Sequence, residues 1–310
     1  MSLVFETVRR IQCVSGAVSE LGNLARGLSC RRILIVTDPG ILASGLLDAP
    51  HTALAAQMEH VSVFSQVKAD PPEHVVLEAV ARAGDEGIDG IVGIGGGSSL
   101  DTAKLVALLS KSPQRLDDVY GIGLAKGPRL PLILVPTTAG TGSEATPISI
   151  VTTPSKEKKG FVSPWLLPDI ALLDPELTLS VPPGVTAATG IDAMVHAIEA
   201  YTNKHHKNAL SDALAIGALQ LLHGNLGRVL ADGSDIAGRE AMLKGSLMAG
   251  MAFVSFGMRA SSNMASTRMS SSKMRQHCAT SSWLLETRRI SASLKSGWSI
   301  RSNAVWRPQQ

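Results

Sequence analysis

The chain has 310 residues, 45% hydrophobic and 18% charged, a composition that supports a packed core and excludes disorder along its whole length. No apolar run reaches the ~18 residues needed to cross a bilayer, the start lacks the apolar core of a secretory signal, and Cys13, Cys30 and Cys278 are too few and too scattered for a disulfide framework or a zinc cluster. The net charge of +3 does not by itself mark a nucleic-acid or membrane-surface protein, and the length suggests two domains, or one large one, with the cytoplasm as the default compartment.

In chain order, short aliphatic runs predict strands at 33–36, 61–67, 90–94 and 132–135. The runs at 33–36, 90–94 and 132–135 have little polar alternation, as strands buried on both faces do. Between them, 73–86 carries Val75, Val76, Ala79, Val80 and Ala83 at helical spacing, and 100–110 carries Ala103, Leu105, Val106 and Leu109. Strands alternating with helices predict an α/β domain with a parallel sheet over 1–180. Pro175, Pro182, Pro183 and Gly184 punctuate a connection, after which 185–202, 208–231 and 236–253 read as helices. The expected division is therefore 1–180, 181–257 and a tail, 258–310. That tail holds nine Lys/Arg against the single acid Glu286, with 13 serines and three of the four tryptophans.

Four constellations carry chemistry. In Gly93-Ile-Gly-Gly-Gly-Ser-Ser-Leu-Asp-Thr-Ala-Lys104 a strand ends in glycines and a helix begins, with Ser98 or Ser99 expected as its cap and Asp101 in its first turn. Glycines admit a phosphate close to backbone N–H groups at the positive end of a helix; a tight turn without a ligand is the alternative. It is not a Walker loop, and Ser98 sits where the usual dinucleotide fingerprint has its last glycine. Val135-Pro-Thr-Thr-Ala-Gly-Thr-Gly-Ser-Glu144 also follows a strand, and offers the hydroxyls of Thr137, Thr138, Thr141 and Ser143 to a ribose or phosphate. Asp38, at the end of the 33–36 strand, either accepts from a ribose diol and repels a 2′-phosphate or caps the helix after Pro39. Asp192 and His196, four apart on a helix, share a face. They could hold a divalent cation, form an ion pair, or leave His196 as a core residue.

Taken together and in this order, Gly95-Gly-Gly-Ser98, Pro136 to Glu144, Pro168-Asp, Asp174-Pro and Gly190-Ile-Asp-Ala-Met-Val-His-Ala-Ile-Glu-Ala-Tyr201 resemble the iron-containing (group III) alcohol dehydrogenases over about 5–253. The resemblance implies a Rossmann-like dinucleotide-binding domain and an all-α metal domain in a dehydroquinate synthase-like arrangement, with the active site in the cleft between them. It assigns Asp38 to the adenosine ribose, and Gly95, Gly96, Gly97, Ser98 and Ser99 to the pyrophosphate. Thr137 and Thr138 would lie against the nucleotide, Lys159 would approach it, and Asp192 and His196 would ligate the metal, Fe²⁺ first and Zn²⁺ second. The implied reaction is NAD-dependent hydride transfer between a primary alcohol and its aldehyde, with the metal as Lewis acid. No catalytic residue beyond the metal site is implied. The partner is a small-molecule alcohol or aldehyde, with no membrane and no nucleic acid expected and a homo-oligomer left open.

The family's two further histidine ligands, in His-Ala-x-x-His-Pro-Leu-Gly-like and Pro-His-Gly-like contexts, have no counterpart after Phe253, and His277 is the only histidine beyond His223. The serine enrichment, charge jump and clustered tryptophans favour a reading-frame shift near 254 over a basic partner-binding tail or an aberrant helical end. The sequence therefore leads to an alcohol dehydrogenase with an impaired metal site. A non-catalytic nucleotide-binding remnant is the alternative from another class, and a maleylacetate reductase or dehydroquinate synthase-like enzyme the alternative on the same scaffold.

Overall fold

The computed structural model describes residues 5–203 and 208–257; the expectations for 258–310 lie outside the described residues. In chain order the elements are β1 (Arg10–Cys13), α1 (Leu21–Gly27), β2 (Arg32–Val36), α2 (Pro39–Ala43), α3 (Asp48–Ala55), β3 (His60–Phe64), α4 (Glu73–Asp85), β4 (Gly90–Gly95), α5 (Gly97–Leu109), β5 (Gly121–Ile122), β6 (Leu132–Pro136), β7 (Ile148–Thr152), β8 (Lys158–Val162), β9 (Ile170–Leu173), α6 (Pro183–Thr202), α7 (Ala209–Ala231) and α8 (Ile236–Gly257). Six strands form one sheet in the order β1-β9-β6-β4-β2-β3, every neighbouring pair parallel. The N-terminal part is thus the expected α/β fold with a parallel sheet, and a helical part follows it.

The sheet is legible in its side chains. Successive residues of a strand point to opposite faces, and in β2 both faces are covered. Ile33 and Ile35 join one apolar cluster with Leu21, Leu24 and Leu54 of α1 and α3. Leu34 and Val36 join another with Val75, Ala79, Ala103 and Val106 of α4 and α5. Gly93 in β4 is a packing glycine, since a Cβ there would stand 2.6 Å from Ala103 Cβ. Loss of that space would lift α5 off the sheet.

In the helical part the core is made of small residues. Ala193, Ala197, Ala215, Ala218, Ala249 and Ala252 are buried together with Leu222 and Met242, which lets α6, α7 and α8 approach closely. Pro183 occupies the first turn of α6, where its missing N–H costs nothing. Asn208 caps α7 by accepting from the N–H groups of Leu210 and Ser211.

Several local expectations are corrected. The strand expected at 61–67 ends at Phe64, and the helix expected from 100 begins at Gly97. Its N-cap is Gly96, which has no capping side chain. Neither Ser98 nor Ser99 caps it, because Ser99 Oγ donates instead to Asp38 Oδ2 at 3.1 Å. Asp101 stands beyond the first turn, half-buried beneath the loop after β6. The last helix continues past 253 to Gly257. A small second sheet, β5-β8-β7, and the strands β1 and β9 were not foreseen.

Candidate functional site

The strand order changes direction beside β2: the chain passes from β2 outward to β3, then returns to the other flank of β2 as β4. Such a switch point opens a crevice beyond the carboxyl ends of the two strands. Asp38 follows β2 and Gly96 follows β4, so two of the four sequence constellations meet there by topology. An open groove of about 710 Å³ occupies the place, lined by Asp38, Gly96 to Ser99, Thr137, Thr138, Lys68 and the 180–182 turn.

The geometry of the glycines explains the sequence. Gly95 has a φ of +147° and its Cβ would stand 2.7 Å from Ser99 Oγ and 3.1 Å from Asp38 Oδ2, so only glycine serves. A Cβ on Gly97 would meet Thr141 Cγ2 at 2.8 Å, so the glycine turn packs directly on the hydroxyl-rich loop. With no side chain capping α5, its leading N–H groups remain available at the positive end of a 13-residue helix, the arrangement that suits a phosphate.

Asp38 does what its alternative reading proposed: Oδ1 accepts from Gly40 N at 3.0 Å and Ile41 N at 3.1 Å and caps α2. It also lines the groove, with Oδ2 held by Ser99. Of the four hydroxyls in the 136–144 loop, only those of Thr137 and Thr138 line the groove. Ser143 Oγ donates to Asp101 Oδ1 at 2.6 Å, and Thr141 Oγ1 accepts from Ser143 N at 3.2 Å, so these two serve the loop itself. Lys159 is not brought to the groove. It lies exposed on β8, its ammonium 4.6 Å from the centre of the Tyr120 ring. Sequence reasoning missed Lys68, among the described residues the only lysine or arginine on the groove wall; its signal was its place just past the apolar run at 61–67.

Beneath the loop, Glu144 is 2% exposed, and burial pushes its carboxyl up to about 7 against the pull of Lys104. The folded state therefore favours the protonated acid. That stabilisation is complete below the ordinary carboxylate value of 4.5 and is lost as pH rises through about 7. The free energy of urea unfolding is expected to fall between pH 5 and 7.5, by up to ~1.4 kcal/mol per pH unit where Glu144 titrates, and Glu144→Gln is expected to flatten this fall. Equal slopes in the two proteins would exclude Glu144 as its origin. The window lies below the value of about 8 to which burial lowers Lys104.

The fourth constellation lies further along α6. Val185, Thr189, Asp192 and His196 fall on one helix face, seven and eleven residues from the first to the last two. Val185 lines the groove, and Thr189 lines a small adjoining cavity that shares Thr138 and Val181 with it. At ~1.5 Å per residue the Asp192–His196 pair begins roughly 10 Å along the helix from the groove wall. Both side chains are half-buried, and the His196 ring lies 5.3 Å from that of Phe253. Glu199, one turn on, has its carboxyl raised by burial, with His196 opposing the shift and Asp192 adding to it. Asp192 and His196 offer a carboxylate and an imidazole of the right chemistry for a divalent cation. Among the described residues no group of three or more His, Cys, Asp or Glu is placed to hold one. These residues fit half of a four-ligand site.

A sequence profile described as "Iron-containing alcohol dehydrogenase" matches residues 9–175, and the profile of the family's C-terminal part matches 186–287. The chain belongs to the iron-containing alcohol dehydrogenase family. The match beyond 253 corrects the expectation that the resemblance stops at Phe253. Among curated relatives, a sulfoacetaldehyde reductase of Bilophila wadsworthia is 38% identical over 82% of this chain and 65% of its own length. Long-chain-alcohol dehydrogenase 1 of Geobacillus thermodenitrificans is 41% identical over 78% of this chain and 62% of its own. An NAD-dependent methanol dehydrogenase of Bacillus methanolicus is 38% identical over 77% and 62%. The chain thus spans less than two thirds of the length of these relatives. A solved sulfoacetaldehyde reductase from Bifidobacterium kashiwanohense, in complex with NAD+, superposes with a TM-score of 0.77 at 31% identity, covering 82% of this chain and 68% of that one. Among the described residues no helix is long and apolar enough to cross a membrane.

Proposed function

We propose that the chain binds NAD(H) in the groove at the β2–β4 switch point, and that it derives from enzymes transferring hydride between a primary alcohol or aldehyde and nicotinamide. The observation that carries this reading is the uncapped start of α5 behind a glycine turn, opposite Asp38. The leading N–H groups of α5 bind the pyrophosphate, Asp38 Oδ2 accepts from the adenosine ribose, and Thr137 and Thr138 hold the chain of the dinucleotide on its way toward α6. The nicotinamide supplies the hydride chemistry when bound, and the protein orients it. The NAD complex of the reductase structure and the name of the methanol dehydrogenase support the choice of cofactor. The division into a nucleotide-binding part, 1–180, and a helical part, 181–257, belongs to the same reading, with Asp192 and His196 as the two cation donors the helical part supplies.

The alternative, a nucleotide-binding protein without catalysis, is favoured by one observation: no third donor joins Asp192 and His196 among the described residues. Titration with NADH, followed by its fluorescence, tests the common part of both readings, and absence of binding overturns both.

The same titration tests cofactor choice. A 2′-phosphate beside Asp38 brings like charges together at a cost on the order of 1–3 kcal/mol, so NADH is expected to bind about 10–100-fold more tightly than NADPH. Asp38→Gly is expected to bring the two affinities within a few-fold of each other, because Lys68 on the same wall then meets the phosphate without a competing carboxylate. An unchanged ratio would remove Asp38 from this role.

A further inference from the structure

Lys104 is fully buried, and a buried ammonium needs every donor satisfied. Here three acceptors surround it: Ser143 Oγ at 2.7 Å, Thr146 Oγ1 at 3.2 Å and the Ile148 carbonyl at 2.7 Å. All three belong to the loop and strand that follow β6. Asp101, one turn back on α5, completes the arrangement with an oxygen 3.7 Å from the ammonium. Its Oδ1 accepts from Ser143 Oγ at 2.6 Å and its Oδ2 from Ile150 N at 2.9 Å, while its carbonyl accepts from Ser149 Oγ at 3.0 Å. One face of the helix whose first turn forms the phosphate cradle therefore grips the whole 143–150 segment.

The segment needs such a grip. Pro136 to Gly142 has no large apolar side chain with which to anchor itself. Its far side meets the helical part through backbone and small groups, with the methyl of Ala139 packed on the apolar clusters that hold Met242 and Leu243. A Cβ on Gly142 would stand 2.7 Å from the Ser246 carbonyl and 2.9 Å from Gly250 Cα, and one on Gly140 would stand 2.8 Å from Thr189 Cβ. Those contacts fix how close the loop lies to α6 and α8 but not its register along α5. An apolar residue in place of Lys104 would fill the space and leave that register unspecified.

We propose that Lys104 is a positioning residue for the dinucleotide: from beneath, its ammonium and Asp101 lock the 137–146 loop against α5, so that Thr137 and Thr138 meet the cofactor beyond the pyrophosphate. The proposal rests on the NAD(H) reading above. That reading places the adenosine half on Asp38, off this loop, so the grip of Lys104 concerns NADH far more than 5′-AMP.

Dissociation constants for NADH and for 5′-AMP measured on the full chain and on Lys104→Met test it. A loss of about tenfold or more for NADH, with less than threefold for AMP, is the expected result. Equal losses for both ligands would show a general structural effect and overturn the proposal, as would no loss for either. Should Lys104→Met fail to fold, Ser143→Ala, which removes the hydroxyl joining Lys104 to Asp101, is judged by the same comparison. If the native chain binds neither ligand, the NAD(H) reading itself fails and the proposal falls with it. Lys104→Arg, which keeps a cation beside Asp101, is expected to recover part of the NADH affinity; no recovery would count against the role of the charge.

Discussion

Gly97→Val is expected to weaken NADH binding at least about 100-fold, which is ~2.7 kcal/mol, while leaving the sheet folded. Gly97 opens α5 and faces the loop that carries Thr137 and Thr138. A Cβ there already overlaps Thr141, at 2.8 Å from Cγ2 and 3.1 Å from Oγ1. The two branches of valine have nowhere to go but into the loop or into the groove. If the loop yields, Thr137 and Thr138 leave the nucleotide; if the side chain turns outward, it covers the N–H groups at the start of α5. Both outcomes remove the phosphate contacts that supply most of the polar recognition at such a helix start. Gly84→Ala serves as the control, because its Cβ would have nothing within 4 Å, and it is expected to leave NADH affinity unchanged. Retention of native affinity by Gly97→Val would move the phosphate away from α5 and with it the whole placement of the cofactor.

What the sequence disclosed and what it withheld have physical causes. The strands β2, β4 and β6 were legible because both of their faces are buried, which leaves an unbroken aliphatic run. By contrast β9, Ile170-Ala-Leu-Leu173, is also buried throughout, but four residues between Pro168-Asp169 and Asp174-Pro175 are too short a run to tell from a loop. The strands β7 and β8 pair antiparallel with exposed lysines on β8, so their pattern reads as polar. Gly96, Gly97 and Asp38, which line the groove, stood out in the sequence because their residue types suit a phosphate and a ribose. The capping serine was misplaced because Ser99 has a competing acceptor, Asp38, sixty-one residues away in sequence, and no local rule weighs a partner brought in by topology. Lys104 was hidden for the opposite reason. A lysine on an amphipathic helix is ordinarily a solvated one, and only the fold reveals that its three acceptors arrive from a segment about forty residues on.

Asp192 and His196 decide the second large effect. A divalent cation in this family's site acts as a Lewis acid toward the alcohol oxygen, worth several kcal/mol, and each 1.36 kcal/mol is tenfold in rate. Two donors on adjacent turns of α6 hold such an ion far more weakly than a closed four-ligand set. With Fe²⁺ or Zn²⁺ added anaerobically, NAD+ reduction by short primary alcohols is therefore expected to stay within about tenfold of the rate without protein, while NADH binding persists because its groove needs no metal. The decisive comparison is with His196→Ala. If the native chain turns over rapidly and the variant does not, further donors complete the site: His277, which lies within the matched stretch 186–287 and outside the described residues, or a side chain of a second subunit. His277→Ala then separates these two sources, since it abolishes turnover only if the chain supplies its own third ligand. If neither protein turns over and both bind NADH alike, the groove at the β2–β4 switch point works as a nucleotide site on its own, and hydride transfer waits on ligands that α6 alone does not bring.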